Sequence, residues 1–163
     1  MNSGPASPAA GDESEVWRTE LAAPYGQDAP AWLLWANRLP LFAAFGVRCE
    51  QLEDGHGSFV LPTSPIALNP NGAVHGGIVA AVSDGAIGSV FMRSVDPGLL
   101  PATANLAVQY HLPAILPLTF DTQIIRQGKS LVFCHVTVTR HDRRVSNILP
   151  RRDRDHEVGE PKR

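Results

Sequence analysis

Cysteine is scarce in this chain. Its 163 residues hold two, Cys49 and Cys134, both inside strand-like runs and neither at a metal-binding spacing. That argues against a disulfide framework and a cysteine-based metal site, and it points to the cytoplasm. A free thiol in such a run reads as a small core residue. Long apolar runs are missing too. The longest weakly polar stretch, 76–92, carries Asp84 and several glycines and falls short of the roughly 20 residues that span a bilayer. Neither sign of charge dominates: the net charge is -2, which gives no global case for a nucleic-acid partner. Residues 1–15 have neither a basic start nor an apolar core, so they do not read as a secretory signal, and their acidic residues argue against a transit peptide. What is present is a composition of 44% hydrophobic and 18% charged residues, that of a globular protein long enough for one domain.

Residues 1–27, rich in Pro, Ala, Gly and Ser, read as a flexible tail. A folded domain is expected over 28–150. Residues 29–45 are apolar and aromatic and predict a helix, or two short helices broken near Pro40. The period then changes to two: Val47, Cys49 and Gln51 alternate with Arg48, Glu50 and Leu52, and the turn signal Asp54-Gly55-His56-Gly57 leads to a second extended run. That is a β-hairpin. A long connection follows, with Pro62, Pro65 and Pro70 and the turn Asn69-Pro70-Asn71-Gly72; long ordered loops are often functional. Residues 76–93 are apolar nearly all round, as in a buried helix. Glycines there each cost about 1 kcal/mol against alanine, so close approach by neighbouring elements is expected. Three extended runs follow, within 105–112, 118–125 and 132–139, and predict long antiparallel strands with one face buried. A short last strand is expected over 145–149, ended by Pro150. Residues 151–163 carry both signs of charge and read as a solvated, disordered tail. One sheet with one helix leaves much of its surface uncovered, so the domain should pair with a copy of itself.

Asp84 is the one ionisable group between Gly76 and Met92 and lies about two turns into the helix, too deep to cap it. A buried carboxylate needs a partner or a task, and burial raises its basicity. His75-Gly76-Gly77 opens the helix. The first N–H groups of a helix have no internal acceptor and sit at the positive end of its dipole, and glycine lets a ligand approach them. A developing oxyanion placed there would be stabilised. Alone, the triplet reads first as a loop-to-helix turn capped by His75, and Asn69 as an ordinary turn residue. Ser83 lacks a nucleophile-elbow context. His56, His111, His135 and His141 are scattered without metal spacing, so no metal site is expected. Trp32, Trp35 and Phe91 could line a pocket or belong to the core.

The combination is more specific than its parts. The pattern Asn69-x5-His75-Gly76-Gly77-x6-Asp84, followed by three extended runs, resembles the hotdog-fold acyl-CoA thioesterases of the phenylacetic-acid-pathway (PaaI-like) superfamily, over about 40–140. The resemblance implies an α+β hotdog fold, an antiparallel sheet wrapped around one long central helix, assembled as a dimer or a dimer of dimers. It implies Asp84 as nucleophile or general base, the Gly76 N–H as oxyanion donor with His75 and Gly77 beside it, and Asn69 positioning the water or the thioester. Thr103, opening the next strand, matches a Ser or Thr near the attacking water. Asn69 and Gly76 would come from one subunit, Asp84 and Thr103 from the other. The turn Arg126-Gln127-Gly128-Lys129-Ser130 resembles the basic turn near the CoA nucleotide. The last strand, cut short before the charged tail, departs from the family pattern and would leave neighbouring backbone groups unpaired.

A thioester is already activated, so one carboxylate and an oxyanion hole can suffice without a metal or a triad. The resemblance thus implies hydrolysis of an acyl-CoA to free acid and CoA, with no cofactor beyond the CoA of the substrate and no nucleic-acid or membrane partner. Two alternatives stay open. One is a non-catalytic acyl-CoA-binding protein, which has no need of a buried carboxylate. The other is a hotdog dehydratase or hydratase, which His75 keeps in view.

Overall fold

The computed structural model describes residues 22–141 and 143–148. The tail expected over 151–163, and most of that expected over 1–27, lie outside them. On the described side of the 27/28 boundary, Ala23 and Tyr25 pack against the core. Tyr25 stands edge-on to Trp32 at 5.4 Å, and its hydroxyl points to the Met92 sulfur at 3.8 Å.

Two short helices come first, α1 (Ala29–Asn37) and α2 (Pro40–Phe45). Asp28 caps α1 by accepting from Ala31 N–H at 3.2 Å, and a proline lies in the first turn of each. Proline suits that position, where no intrahelical N–H is needed. Gly46 ends α2 in the left-handed conformation, φ 74°, which glycine adopts without a Cβ penalty. The hairpin follows as β1 (Arg48–Glu53) and β2 (His56–Leu61), turned at Asp54-Gly55 with Gly55 at φ 75°. His56 and Gly57, expected in the turn, already belong to β2. The alternation expected along β1 also fails: Cys49 and Leu52 are buried, because the register shifts between Cys49 and Gln51. A bulge inserts one residue and moves the residues after it to the opposite face.

The central helix α3 (Gly76–Ser94) leads to β3 (Val108–Tyr110), β4 (Leu118–Gln127), β5 (Val132–Arg140) and β6 (Arg143–Ile148). All pairings are antiparallel in one sheet, ordered β1-β2-β4-β5-β6-β3. The chain leaves β2 in mid-sheet, runs along α3, and re-enters at the far edge as β3. The first of the three expected long strands is therefore short. β3 has β6 as its one partner among the described residues, and β6 spans six residues, so the ladder covers Val108 to Tyr110 against Ile148 to Ser146.

One face of the sheet closes on α3, which packs against β4, β1, β2 and β5. Phe59, Leu61, Leu118, Phe120, Val136 and Val138 point at the helix and are fully buried. Each buried apolar side chain of this size contributes roughly 1.5–3 kcal/mol. On α3 the buried residues are Val79, Val82, Ser83, Ala86, Ser89 and Val90, one stripe at helical spacing. The expectation of a helix buried all round is thus corrected: within one chain, α3 is half-buried. The opposite stripe runs through Gly77, Ala81, Asp84 and Gly88, all half-exposed or exposed. The glycines divide accordingly. A Cβ on Gly85 would lie 2.9 Å from Phe42 Cε1, whereas one on Gly77 or Gly88 would meet nothing within 4 Å among the described residues.

Candidate active site

The long connection ahead of α3 is held by its own hydrogen bonds. Asn69 Oδ1 accepts from Asn71 N–H at 2.9 Å and Ala73 N–H at 3.2 Å, Gly72 N–H donates to Asn69 O at 2.9 Å, and Asn69 N–H donates to Ala73 O at 2.7 Å. An asparagine side chain that copies a backbone carbonyl is a turn former. Its amide nitrogen stays free of partners among the described residues. Val74 N–H donates to Ala114 O at 2.7 Å and His75 N–H to Ala67 O at 2.8 Å, which ties the loop to the segment after β3 and aims the chain into α3.

His75 is the N-cap by backbone alone. Its carbonyl accepts from Ile78 and Val79 N–H, while its exposed side chain makes no capping bond. The N–H groups of Gly76 and Gly77 have no acceptor among the described residues. They stand where a helix presents unpaired donors and positive potential. Asn69 and Gly76 border one open cleft of ≈ 720 Å³, whose other walls come from Val74, Tyr110 and residues 111–115.

Tyr110 is the residue that sequence reasoning missed. In the sequence it is one residue of the extended run within 105–112. In the structure its hydroxyl donates to Gly76 O at 2.6 Å, and a Cβ on Gly76 would lie 3.1 Å from its Cζ and Oη. A side chain at 76 would press on the Tyr110 ring, which would have to give by a few tenths of an ångström. Tyr110 is exposed, yet partial desolvation moves its phenol above the ordinary value of 10.0, so it stays protonated and able to donate through the neutral range.

Asp84 lies elsewhere. Eight residues along a helix are about 12 Å of rise, so Asp84 does not share the Gly76 cleft of its own chain. It is half-exposed on the open stripe of α3, which corrects the expectation of a carboxylate buried within the chain. Thr103 Oγ1 donates to Asp84 Oδ1 at 2.6 Å. Thr103 does not open the next strand; it sits in the loop ahead of β3, which begins at Val108. The candidate residues therefore fall into two groups within one chain, Asn69 with Gly76 and Asp84 with Thr103.

Arg126, Gly128, Lys129 and Ser130 are exposed at the β4–β5 turn, where Gly128 N–H donates to Leu131 O at 2.9 Å. Tyr110 lies in the row of Ser146, Val138 and Phe120. The turn begins six residues farther along β4, about 20 Å away, so it is remote from the cleft of its own chain.

Other reactive groups have structural tasks. Ser83 is fully buried and its hydroxyl donates to Val79 O at 2.8 Å, the local back-bond of a helical serine. Burial pushes the Cys49 thiol up to about 12 and raises that of Cys134. Trp32 is core, stacked edge-on with Trp35 at 5.4 Å and covered by Arg93 at 5.3 Å. Among the described residues no group of three or more His, Cys, Asp or Glu could hold a metal ion, and no helix is long and apolar enough to cross a membrane.

An antiparallel sheet closed on one long central helix is the hotdog architecture, and solved structures share it. A thioesterase family protein of Silicibacter pomeroyi is 22% identical with a TM-score of 0.66, over 73% of this chain and 92% of its own. A phenylacetic acid degradation-related protein of Ralstonia eutropha is 19% identical with a TM-score of 0.63, over 68% and 86%. A Streptococcus mutans protein bound to acetyl CoA is 23% identical with a TM-score of 0.57, over 63% and 82%. These likenesses show the fold. Residues 71–147, from the turn before α3 into β6, match the family model described as thioesterase superfamily. The likeness to the PaaI-like hotdog thioesterases is thus one of fold, and over 71–147 the sequence itself is similar to the thioesterase superfamily. No curated protein matches the sequence.

Proposed function

We propose that the chain hydrolyses an acyl-CoA thioester to a free carboxylic acid and CoA, at sites shared between two copies of itself. The observation that carries the proposal is the division of one helix: at its start Gly76 borders a cleft and the N–H groups of Gly76 and Gly77 have no acceptor among the described residues, while the Asp84–Thr103 pair stands about 12 Å farther on. Neither half is a complete hydrolytic site. A second copy laid antiparallel on the open stripe of α3 would set the Asp84 of one chain against the Gly76 of the other, and β3, the edge strand among the described residues, would offer its outer backbone groups for the same union.

In that arrangement the thioester carbonyl oxygen points at the Gly76 and Gly77 N–H groups, which stabilise the charge it develops. Asp84 attacks the carbonyl carbon or takes a proton from an attacking water. Thr103 holds one carboxylate oxygen and leaves the other for the reaction. Asn69, whose Oδ1 is committed to its turn, directs its amide N–H at water or substrate. CoA enters as part of the substrate, with no separate cofactor. The turn 126–130 meets the nucleotide end, across a separation that extended CoA or the partner's turn must bridge. The unpaired Cys49 and Cys134 favour the cytoplasm as the place of action.

Mixing tests the shared site. Asn69→Asp keeps the turn acceptor and removes the amide donor; Asp84→Asn removes the carboxylate. Each variant alone should release little thiol from acyl-CoA. A random mixture should recover about a quarter of wild-type activity, because half of the dimers are mixed and each mixed dimer holds one intact site. Two inactive variants that stay inactive when coexpressed would contradict the arrangement.

A further inference from the structure

Tyr110 makes a contact with the proposed oxyanion donors that has a chemical as well as a packing consequence. Its hydroxyl donates to the carbonyl of Gly76 at 2.6 Å. That carbonyl belongs to the peptide unit whose N–H is Gly77. A hydrogen bond received by an amide oxygen draws electron density from the amide nitrogen and strengthens the N–H of the same unit as a donor, the cooperativity of hydrogen-bonded chains. We propose that Tyr110 is a positioning residue for thioester hydrolysis, which polarises the Gly76–Gly77 peptide and holds the start of α3 so that the Gly77 N–H meets the oxyanion. The inference rests on the thioesterase function proposed above.

Three observations support it. The Gly77 N–H has no acceptor among the described residues, and Gly77 is itself exposed at the start of the helix. Tyr110 borders the same cleft as Gly76 and Asn69. The bond joins two separate parts of the fold, the edge strand β3 and the first turn of α3, so β3 fixes the helix end in angle as well as in charge. The His75 side chain, the nearer candidate by sequence, makes no bond to the helix start.

The test is Tyr110→Phe in the full chain. The ring and its contact with Gly76 remain, and only the donated proton is lost. With an acyl-CoA that the wild type hydrolyses, kcat should fall roughly tenfold while KM stays within about twofold, the pattern of an interaction that strengthens in the transition state. The melting temperature should stay close to that of the wild type. Tyr110→Ala, which also removes the ring, should lower the melting temperature as well. A Tyr110→Phe enzyme with wild-type kcat overturns the inference and leaves the thioesterase proposal standing. So does a variant in which kcat, KM and melting temperature all deteriorate together, which makes Tyr110 a packing residue. A wild-type chain that hydrolyses no thioester overturns both.

Discussion

Gly85 offers a stability test in which two physical effects oppose each other. Replacing it with alanine inside α3 gains helix propensity, about 1 kcal/mol. The new Cβ, however, would lie 2.9 Å from Phe42 Cε1, 3.0 Å from Leu41 Cδ2 and 3.3 Å from Phe42 Cζ. Leu41 is half-exposed and can move its methyl. Phe42 cannot move so easily: it is fully buried, with its ring 5.3 Å from that of Phe59. Overpacking of this kind costs about 1–3 kcal/mol. We expect the clash to win, with a net loss of about 1 kcal/mol and a fall in melting temperature of roughly 3 °C. A double-mutant cycle with Phe42→Leu isolates the cause. Phe42→Leu is destabilising alone, yet it removes the ring atoms that the Cβ would meet, so Gly85→Ala should cost less in that background by about 1 kcal/mol. Chemical denaturation of the four proteins measures it. A Gly85→Ala variant that melts higher than the wild type, or a cycle without coupling, would refute this account of the α2–α3 contact.

Two further expectations concern titratable groups. His135, on β5, has its pKa lowered from 6.5 by burial and by Arg144, against an opposing effect of Asp121. The unfolded chain therefore takes up this proton first, and stability should fall as pH drops from about 6.5 towards the lowered value. His135→Gln should flatten that part of a urea-stability profile, and equal slopes in the two proteins would contradict the assignment. Cys49, with its thiol pushed up to about 12, holds almost no thiolate at pH 8. A thiol reagent should label it in the native protein at least tenfold more slowly than in urea, and equal rates would show that the site opens freely.

The parts of the fold that the sequence made legible are those set by local periodicity. The hairpin, α3, β4 and β5 follow from alternation, apolar runs and turn residues, and they appear close to their expected bounds. The misses share a different cause. The bulge in β1 and the brevity of β3 depend on the partner strand, which local patterning does not contain. The open stripe of α3 escaped because Gly77, Ala81 and Gly88 look equally at home in a core or on a surface left for a second chain. Asp84 on that stripe was the available clue, read as burial within the chain when the structure leaves it half-exposed. Tyr110 escaped because its role depends on a contact across 34 residues. The nearest sequence signal was the glycine at the helix start, where a missing Cβ leaves room for a ring.

The central claim is that Asp84 acts on a thioester. Thiol release from a panel of acyl-CoAs, spanning short, medium, long and aromatic acyl groups, should be measured for the wild type and Asp84→Asn. The account predicts that at least one member is hydrolysed and that the variant, still folded and still able to bind the ester, is slowed at least a hundredfold, the scale of losing a general base. Full activity in Asp84→Asn, or a wild type that binds CoA esters and hydrolyses none, would contradict it.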